Sequence, residues 1–184
     1  MKKLKEILYR VAIEGVLGST NCLVTEIALD SRDVIKNSMF VAINGYERDG
    51  HDYIDKALAS GASSVVCEQL PKELNQEVVY VQVNESRDAL GNMASNFYET
   101  PSSDLKLVGV TGTNGKTTVA TLLFDLFNNL KKKAGLISTV AIKYDDKGFV
   151  STHTTPNPII INQHLRACLL YTSDAADERC SVDL

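Results

Sequence analysis

The stretch Thr111-Gly112-Thr113-Asn114-Gly115-Lys116-Thr117-Thr118 constrains this chain more than any other. Upstream of it, residues 105–110 form an apolar run expected to be a buried strand. Downstream, Val119, Leu122, Leu123, Leu126 and Leu130 recur at helical spacing. A strand that delivers a small-residue loop to the first turn of a helix is the context of a phosphate-binding P-loop. Glycine lets the backbone curl close to a phosphate, so that successive N–H groups donate to its oxygens. The helix N-terminus adds a favourable dipole. Lys116 then supplies a point charge for the β- and γ-phosphates, and the Thr117 hydroxyl joins a Mg²⁺ shell. The common pattern G-x-x-x-x-G-K-[ST] would put its first glycine where this chain has Val110, and Gly112 stands two residues later. A glycine turn with an incidental Lys-Thr is the bland alternative, but the context and the Gly-Lys-Thr core coincide. Gly112, Thr113, Asn114, Gly115, Lys116, Thr117 and Thr118 are the expected phosphate-binding residues of a nucleotide site, with Lys116 as the catalytic residue and Thr117 serving Mg²⁺.

Strand and helix patterns alternate before this loop. Residues 2–9 read as an opening helix, 22–29 and 39–43 as strands, and 64–67 and 78–83 as buried strands. A helix opens at Asp49-Gly50, with Ile54 and Leu58 inward, and stops at Gly61. Another runs from about 86 to 98, with Ser86 as its N-cap and Leu90, Met93, Ala94 and Phe97 on one face. Such alternation predicts an α/β layer fold. Thr100-Pro101-Ser102-Ser103-Asp104 has turn chemistry, so a domain boundary is placed there. The expected organisation is a domain over 1–100, the truncated start of a P-loop domain over 101–167, and a tail over 168–184. Within the second domain, 133–141 reads as a strand, and Tyr144-Asp145-Asp146-Lys147-Gly148 as a hairpin turn in preference to a metal-binding acid pair. Lys131-Lys132-Lys133 complements a helix C-terminus and is given no chemistry.

Charge narrows the partners. The chain carries 19 Lys and Arg against 23 Asp and Glu, a net charge of −4. The helix-like pattern that starts at Ile159 is expected to end at Ala167. Residues 168–184 beyond it resemble the in-frame translation of a transposon-type sequencing adapter, so they are set aside. Removing them takes away Asp174, Asp177, Glu178, Asp183 and Arg179, leaving 18 bases against 19 acids. Near-neutrality argues against nucleic acid as a partner, and no apolar run is long enough to insert in a membrane. No signal peptide is recognisable. Cys22, Cys67, Cys168 and Cys180 lack CxxC spacing and read as reduced thiols of a cytoplasmic protein rather than as metal ligands. His51 and His153 have no partner at a diagnostic spacing and are read as surface or turn residues.

The loop from Thr111 to Thr118 resembles that of the Mur ligases, the ATP-dependent amino-acid-adding enzymes of bacterial peptidoglycan synthesis, in which valine at the position of Val110 is normal. The resemblance covers residues 1–167. Leu29-Asp30-Ser31-Arg32, Met39-Phe40-Val41-Ala42 and the run from Gly45 to Asp52 look like the UDP-binding N-terminal domain of these ligases. Thr154-Thr155-Pro156 is similar to the segment that holds the UDP-muramoyl substrate in the branch acting on UDP-N-acetylmuramoyl-L-alanyl-D-glutamate. The resemblance implies that Ser31 contacts the UDP portion and that Tyr46, Glu47 and Arg48 lie beside the uracil. Tyr46 stands where relatives often have histidine. It also implies that Gly112 to Thr118 bind ATP, with ATP and Mg²⁺ as cofactors, and that Thr154 and Thr155 hold the muramoyl substrate.

The activity so implied is ATP-dependent amide formation through an acyl phosphate. It would join diaminopimelate or lysine to the UDP-muramoyl-dipeptide in a bacterial cytoplasmic enzyme that is a monomer at full length. Further residues of the family's metal site and its amino-acid-binding domain have no counterpart before Ala167, so the chain itself is expected to be an inactive fragment. The alternatives are another Mur or folyl-polyglutamate-type ligase and a non-catalytic nucleotide-binding module.

Overall fold

A computed structural model describes residues 1–45, 48–144, 147–150 and 156–177. The chain divides into two compact units, Met1–Phe97 and Tyr98–Leu184.

The first unit runs β1 (Lys2–Lys3), α1 (Leu4–Ile7), β2 (Gly15–Leu17), β3 (Leu23–Val24), β4 (Ile27–Ala28), β5 (Ser38–Val41), α2 (Ile54–Ala59), β6 (Ala62–Cys67), β7 (Val79–Gln82) and α3 (Ser86–Phe97). Its main sheet has the order β2-β7-β6-β5-β4. The last four are parallel, and β2 is an antiparallel edge on β7. Central parallel strands are buried on both faces, which is why β5 to β7 read as near-continuous apolar runs. Phe40, Val65 and Tyr80 stand in register and join Ile54 and Ala57 of α2 in one core cluster. Their neighbours Met39, Val41, Val66 and Val81 point to the opposite face and are also fully buried. Burying a side chain such as Phe40 is worth about 1.5–3 kcal/mol.

The segment 22–29, read as one strand, is two. β3 pairs with β1 in a separate two-stranded sheet while β4 joins the main sheet. The opening helix is a single turn, and α3 supplies its C-terminal cap. Asn96 Nδ2 donates to the carbonyls of Ile7 (2.9 Å) and Tyr9 (2.7 Å). These are the orphan acceptors of a helix end, here satisfied from 87 or more residues away. Ser86 is not the N-cap of α3. Its N–H donates to Glu68 Oε1 at 2.9 Å, and its own buried hydroxyl has no hydrogen-bond partner. A carboxylate does better there, because it accepts from the helix N-terminus and complements the dipole as well.

The second unit contains α4 (Lys116–Asn129), β8 (Leu136–Ile137), β9 (Ala141–Tyr144), β10 (Lys147–Val150) and α5 (Pro158–Asp177). The three strands form an antiparallel sheet in the order β10-β9-β8. Tyr144 pairs with Lys147, so the chain reverses at the expected hairpin; Asp145 and Asp146 themselves lie outside the described residues.

Two strand expectations fail here. Residues 106–110 take no regular structure, and Leu107 and Val108 are 59% and 68% exposed. A strand exists only with a hydrogen-bonded neighbour, and no described strand of this unit pairs with it. The segment 133–141 is likewise cut to the two-residue β8 by a bend before β9. The apolar stripe of α4 is correspondingly open, with Val119, Leu122 and Leu126, and Leu130 at its C-cap, exposed; of the small sheet, β8 makes the main contact with the helix.

α5 differs in the other direction. Asn157 caps it by accepting the Ile160 N–H at 3.0 Å, and the helix runs past Ala167 to Asp177. Cys168 is buried against Ile142 and Tyr144. Loss of an apolar period does not end a helix whose next residues tolerate it. Gly135 permits this packing, since a Cβ there would stand 2.5 Å from Cys168 Sγ. An Arg166–Glu99 ion pair links α5 to the start of the unit.

Candidate functional site

Each unit carries one candidate site. In the first, a cavity of about 430 Å³ opens where β4 and β5 end and the loop before α2 begins. Leu29, Phe40, Ile43 and Tyr53 form an apolar wall, and Asp30, Arg32, Arg48 and Lys56 bring charge to it. Ser31, buried at 4% exposure, also lines it. The structure thus brings together Ser31 and Arg48, two residues singled out from the sequence. Tyr46 and Glu47 fall outside the described residues, as do Thr154 and Thr155.

Local chemistry shapes this cavity. Asp30 closes a turn in which the Arg32 N–H donates to Oδ1 at 2.9 Å and the Asp33 N–H donates to the Asp30 carbonyl at 3.1 Å. Arg32 Nε reaches both carboxylate oxygens at 3.0 Å. That side-chain hydrogen bond, followed by the backbone one, holds the Asp30 carboxyl down at about 2. Ile43, Arg48 and Gly50, from the loop before α2, also line the cavity. The Gly50 N–H donates to the Ile43 carbonyl at 2.9 Å, and the Gly45 N–H donates to the Arg48 carbonyl at 3.0 Å.

His51 anchors the same loop. Its Nε2 accepts the Glu68 N–H at 2.9 Å, at the end of β6, so Nδ1 carries the proton and donates to Asp49 Oδ1 at 2.6 Å. Asp49 also accepts the His51 N–H at 2.9 Å, and together these bonds keep its carboxyl below the usual range. The expectation of a surface or turn histidine is therefore corrected. His51 does sit in a turn, but it is a half-buried strut with partners in Asp49 and Glu68, and only the tertiary pairing with Glu68 reveals it.

In the second unit, Gly115 takes φ +75° as the residue before α4. That left-handed conformation is open to glycine at little cost, and it aims the first N–H groups of α4 outward. No acidic residue or side-chain cap occupies this end. Lys116 Nζ curls back to donate to the carbonyls of Gly112 (2.5 Å) and Thr113 (3.3 Å). Thr117 Oγ1 lies 3.4 Å from Thr139 Oγ1, which the sequence reading did not single out. Two neutral hydroxyl oxygens at a helix N-terminus, with the Lys116 ammonium beside them, suit a Mg²⁺-bound polyphosphate. The Lys56 and Tyr53 contributions to the first cavity were also missed. An exposed helix lysine and a half-buried tyrosine carry no signal in sequence until a cavity is seen beside them. Among the described residues, Cys22, Cys67 and Cys168 are free thiols, and burial pushes Cys67 and Cys168 up to about 11. No group of three or more His, Cys, Asp or Glu residues could hold a metal, and no helix is long and apolar enough to cross a membrane, among the described residues.

Two family descriptions match in succession along the chain. The Mur ligase family, catalytic domain, matches residues 23–98, and the Mur ligase middle domain matches residues 110–176. The chain belongs to the Mur ligase family. It is 50% identical over 164 residues to the UDP-N-acetylmuramoyl-L-alanyl-D-glutamate–2,6-diaminopimelate ligase of Cytophaga hutchinsonii, covering 89% of this chain and 34% of that protein. The ligase of the same name from Bacteroides fragilis is 46% identical over 178 residues, covering 97% of this chain and 35% of its own length. The chain thus spans about a third of the curated relatives it matches. Among solved structures, a UDP-N-acetylmuramoyl-L-alanyl-D-glutamate–2,6-diaminopimelate ligase shares the fold with a TM-score of 0.70 at 21% identity, over 94% of this chain and 34% of that one. The α/β architecture expected from sequence is that of this family.

Proposed function

We propose that this chain is the UDP-substrate-binding and ATP-loop portion of a ligase that joins a diamino acid to UDP-N-acetylmuramoyl-L-alanyl-D-glutamate. The observation that carries the reading is the 50% identity, over 89% of the chain, to a ligase named for that substrate. The same name favours 2,6-diaminopimelate over lysine as the incoming amine. In this reading the cavity around Ser31 and Arg48 receives the uridine end, with Tyr46 and Glu47 beside it, and Thr154 and Thr155 hold the muramoyl part. Residues Gly112 to Thr118 hold ATP, and the setting is the cytoplasm of a bacterium, with the full-length enzyme a monomer.

The reaction transfers the γ-phosphoryl group of ATP to the D-glutamyl carboxylate, and ADP leaves. The amine nitrogen of the diamino acid then attacks the acyl carbon, inorganic phosphate departs with the bonding electrons, and the amine proton passes to solvent. The task of Lys116 is to leave the carbonyls of Gly112 and Thr113 and hold the β- and γ-phosphates in line. The backbone N–H groups after Gly115 meet the charge that develops on transfer. Thr117, with Thr139 beside it, would hold Mg²⁺, which supplies charge neutralisation. In this reading residues 1–184 bind both substrates and do not turn over by themselves.

Calorimetry on the purified chain tests this. Saturable binding of UDP-N-acetylmuramoyl-L-alanyl-D-glutamate, and separately of Mg²⁺-ATP, is expected, without amino-acid-dependent phosphate release. A folded chain that binds neither at about 1 mM, a threshold worth only about 4 kcal/mol, overturns the proposal.

A further inference from the structure

His51 is held from two sides, and only one of them survives a second ring proton. Its Nδ1–H donates to Asp49 Oδ1 at 2.6 Å within the turn that leads into α2. On the other side Nε2 faces two backbone donors at the end of β6, the Glu68 N–H at 2.9 Å and the Gln69 N–H at 3.4 Å. Both point at one lone pair, which only the neutral ring possesses. An imidazolium has two N–H donors and no acceptor, and turning it over exchanges the nitrogens without restoring a lone pair. The Asp49 carboxylate, by contrast, accepts from Nδ1–H in either charge state, and it also accepts the His51 backbone N–H at 2.9 Å. The other charged groups around the ring are committed elsewhere or exposed. The Glu68 carboxylate accepts the Ser86 N–H at 2.9 Å, and Arg87 Nη2, from the first turn of α3, donates to the Asn44 carbonyl at 2.9 Å. Arg48 and Asp52, on the same stretch as His51, are exposed.

We propose that His51 is a proton-operated latch. Neutral, it ties the turn before α2 to the end of β6; protonated, it keeps Asp49 and lets go of β6. Imidazole is the side chain whose charge ordinarily changes between about pH 5 and 8, so the tie is made in mildly alkaline solution and lost in mildly acidic solution. The release is selective, because the bonds that close the turn on Asp49 are indifferent to the second proton and those that reach β6 are not. Gly50 and Tyr53 sit on this turn and line the first cavity, so acid loosens that side of the cavity while leaving the parallel sheet paired.

The test is amide hydrogen exchange on the 184-residue chain between about pH 8 and about pH 5, corrected for the intrinsic pH dependence of exchange, beside nitrogen NMR of the His51 ring. Protection of the Glu68 amide is expected to fall about tenfold in step with the arrival of the second ring proton, while that of Val65 within β6 holds. His51→Gln, whose side-chain carbonyl accepts at either pH, should keep the Glu68 amide protected throughout, and His51→Ala should leave it poorly protected throughout. A Glu68 amide that stays protected beside a doubly protonated ring overturns the proposal, as does a ring that remains neutral over the whole range. A fall of the same size in His51→Gln, or an equal fall at Val65, overturns it too, because acid would then be loosening the unit by another route.

Discussion

The Nε2 atom of His51 accepts the backbone N–H of Glu68 across 2.9 Å and 17 residues of chain. This one bond ties the lip of the first cavity to the end of β6, and through the Glu68 carboxylate to the first turn of α3. Replacing His51 by Ala leaves the Glu68 N–H without that acceptor and Asp49 without its ring partner. A loss of about 1–3 kcal/mol is expected, read as a lower urea midpoint with an unchanged slope. Nitrogen NMR of the wild-type ring should find the proton on Nδ1. A proton on Nε2 at neutral pH would contradict the geometry.

Gly50 and Gly91 make a controlled pair. A Cβ on Gly50 would stand 2.6 Å from the Ile43 nitrogen and 2.8 Å from its oxygen, so Gly50→Ala must push the loop off the end of β5. The expected cost is about 1–3 kcal/mol, with uridine-compound binding weakened at the same time. A Cβ on Gly91, within α3, would meet nothing within 4 Å. Gly91→Ala should therefore stabilise by about 0.5–1 kcal/mol. Thermal unfolding of both variants checks the contrast.

Asp30 gives a signed pH dependence. Its folded-state carboxyl, held at about 2, lies below the ordinary value of 3.8, chiefly through the Arg32 hydrogen bond. The pair's contribution is thus fully present above about pH 4 and is lost as pH falls towards 2. Carbon NMR titration should place the Asp30 midpoint well below those of other exposed carboxylates, and Arg32→Gln should raise it. A midpoint near 3.8 in the wild type would show that the turn is not closed in solution.

Lys116→Ala removes the only side-chain charge in the stretch from Gly112 to Thr118. Charge-assisted contacts are worth about 1.5–3 kcal/mol each, so Mg²⁺-ATP binding should weaken roughly 10- to 100-fold. Uridine-compound binding to the first unit should stay unchanged. Fluorescent-nucleotide titration reads the first effect and calorimetry the second. Wild-type nucleotide affinity in this variant would remove the loop from the ATP site.

The α/β architecture was legible from the runs at β5, β6 and β7, because central parallel strands demand apolar residues on both faces. The glycine-rich loop was legible because a left-handed residue before a helix calls for glycine, as at Gly115. Where a partner was needed, local pattern misled. Residues 106–110 have strand composition, but strand composition makes a strand only beside a hydrogen-bonding neighbour. Val119, Leu122 and Leu126 have a core-facing period that the small sheet of this unit cannot cover. Ser86 has the chemistry of a cap, yet Glu68, brought from 18 residues away, does the capping.

Sequence alone therefore determined the residue types of the phosphate loop and the apolar strands, both set by short-range geometry and burial. Only the tertiary structure decided which of these meet. It placed Lys56 and Tyr53 beside Ser31, turned His51 from an ordinary turn residue into a strut, and joined Asn96 to the end of α1. Contacts of that kind depend on how strands are ordered in the sheet, and the order follows from the summed burial of the whole unit rather than from any one segment.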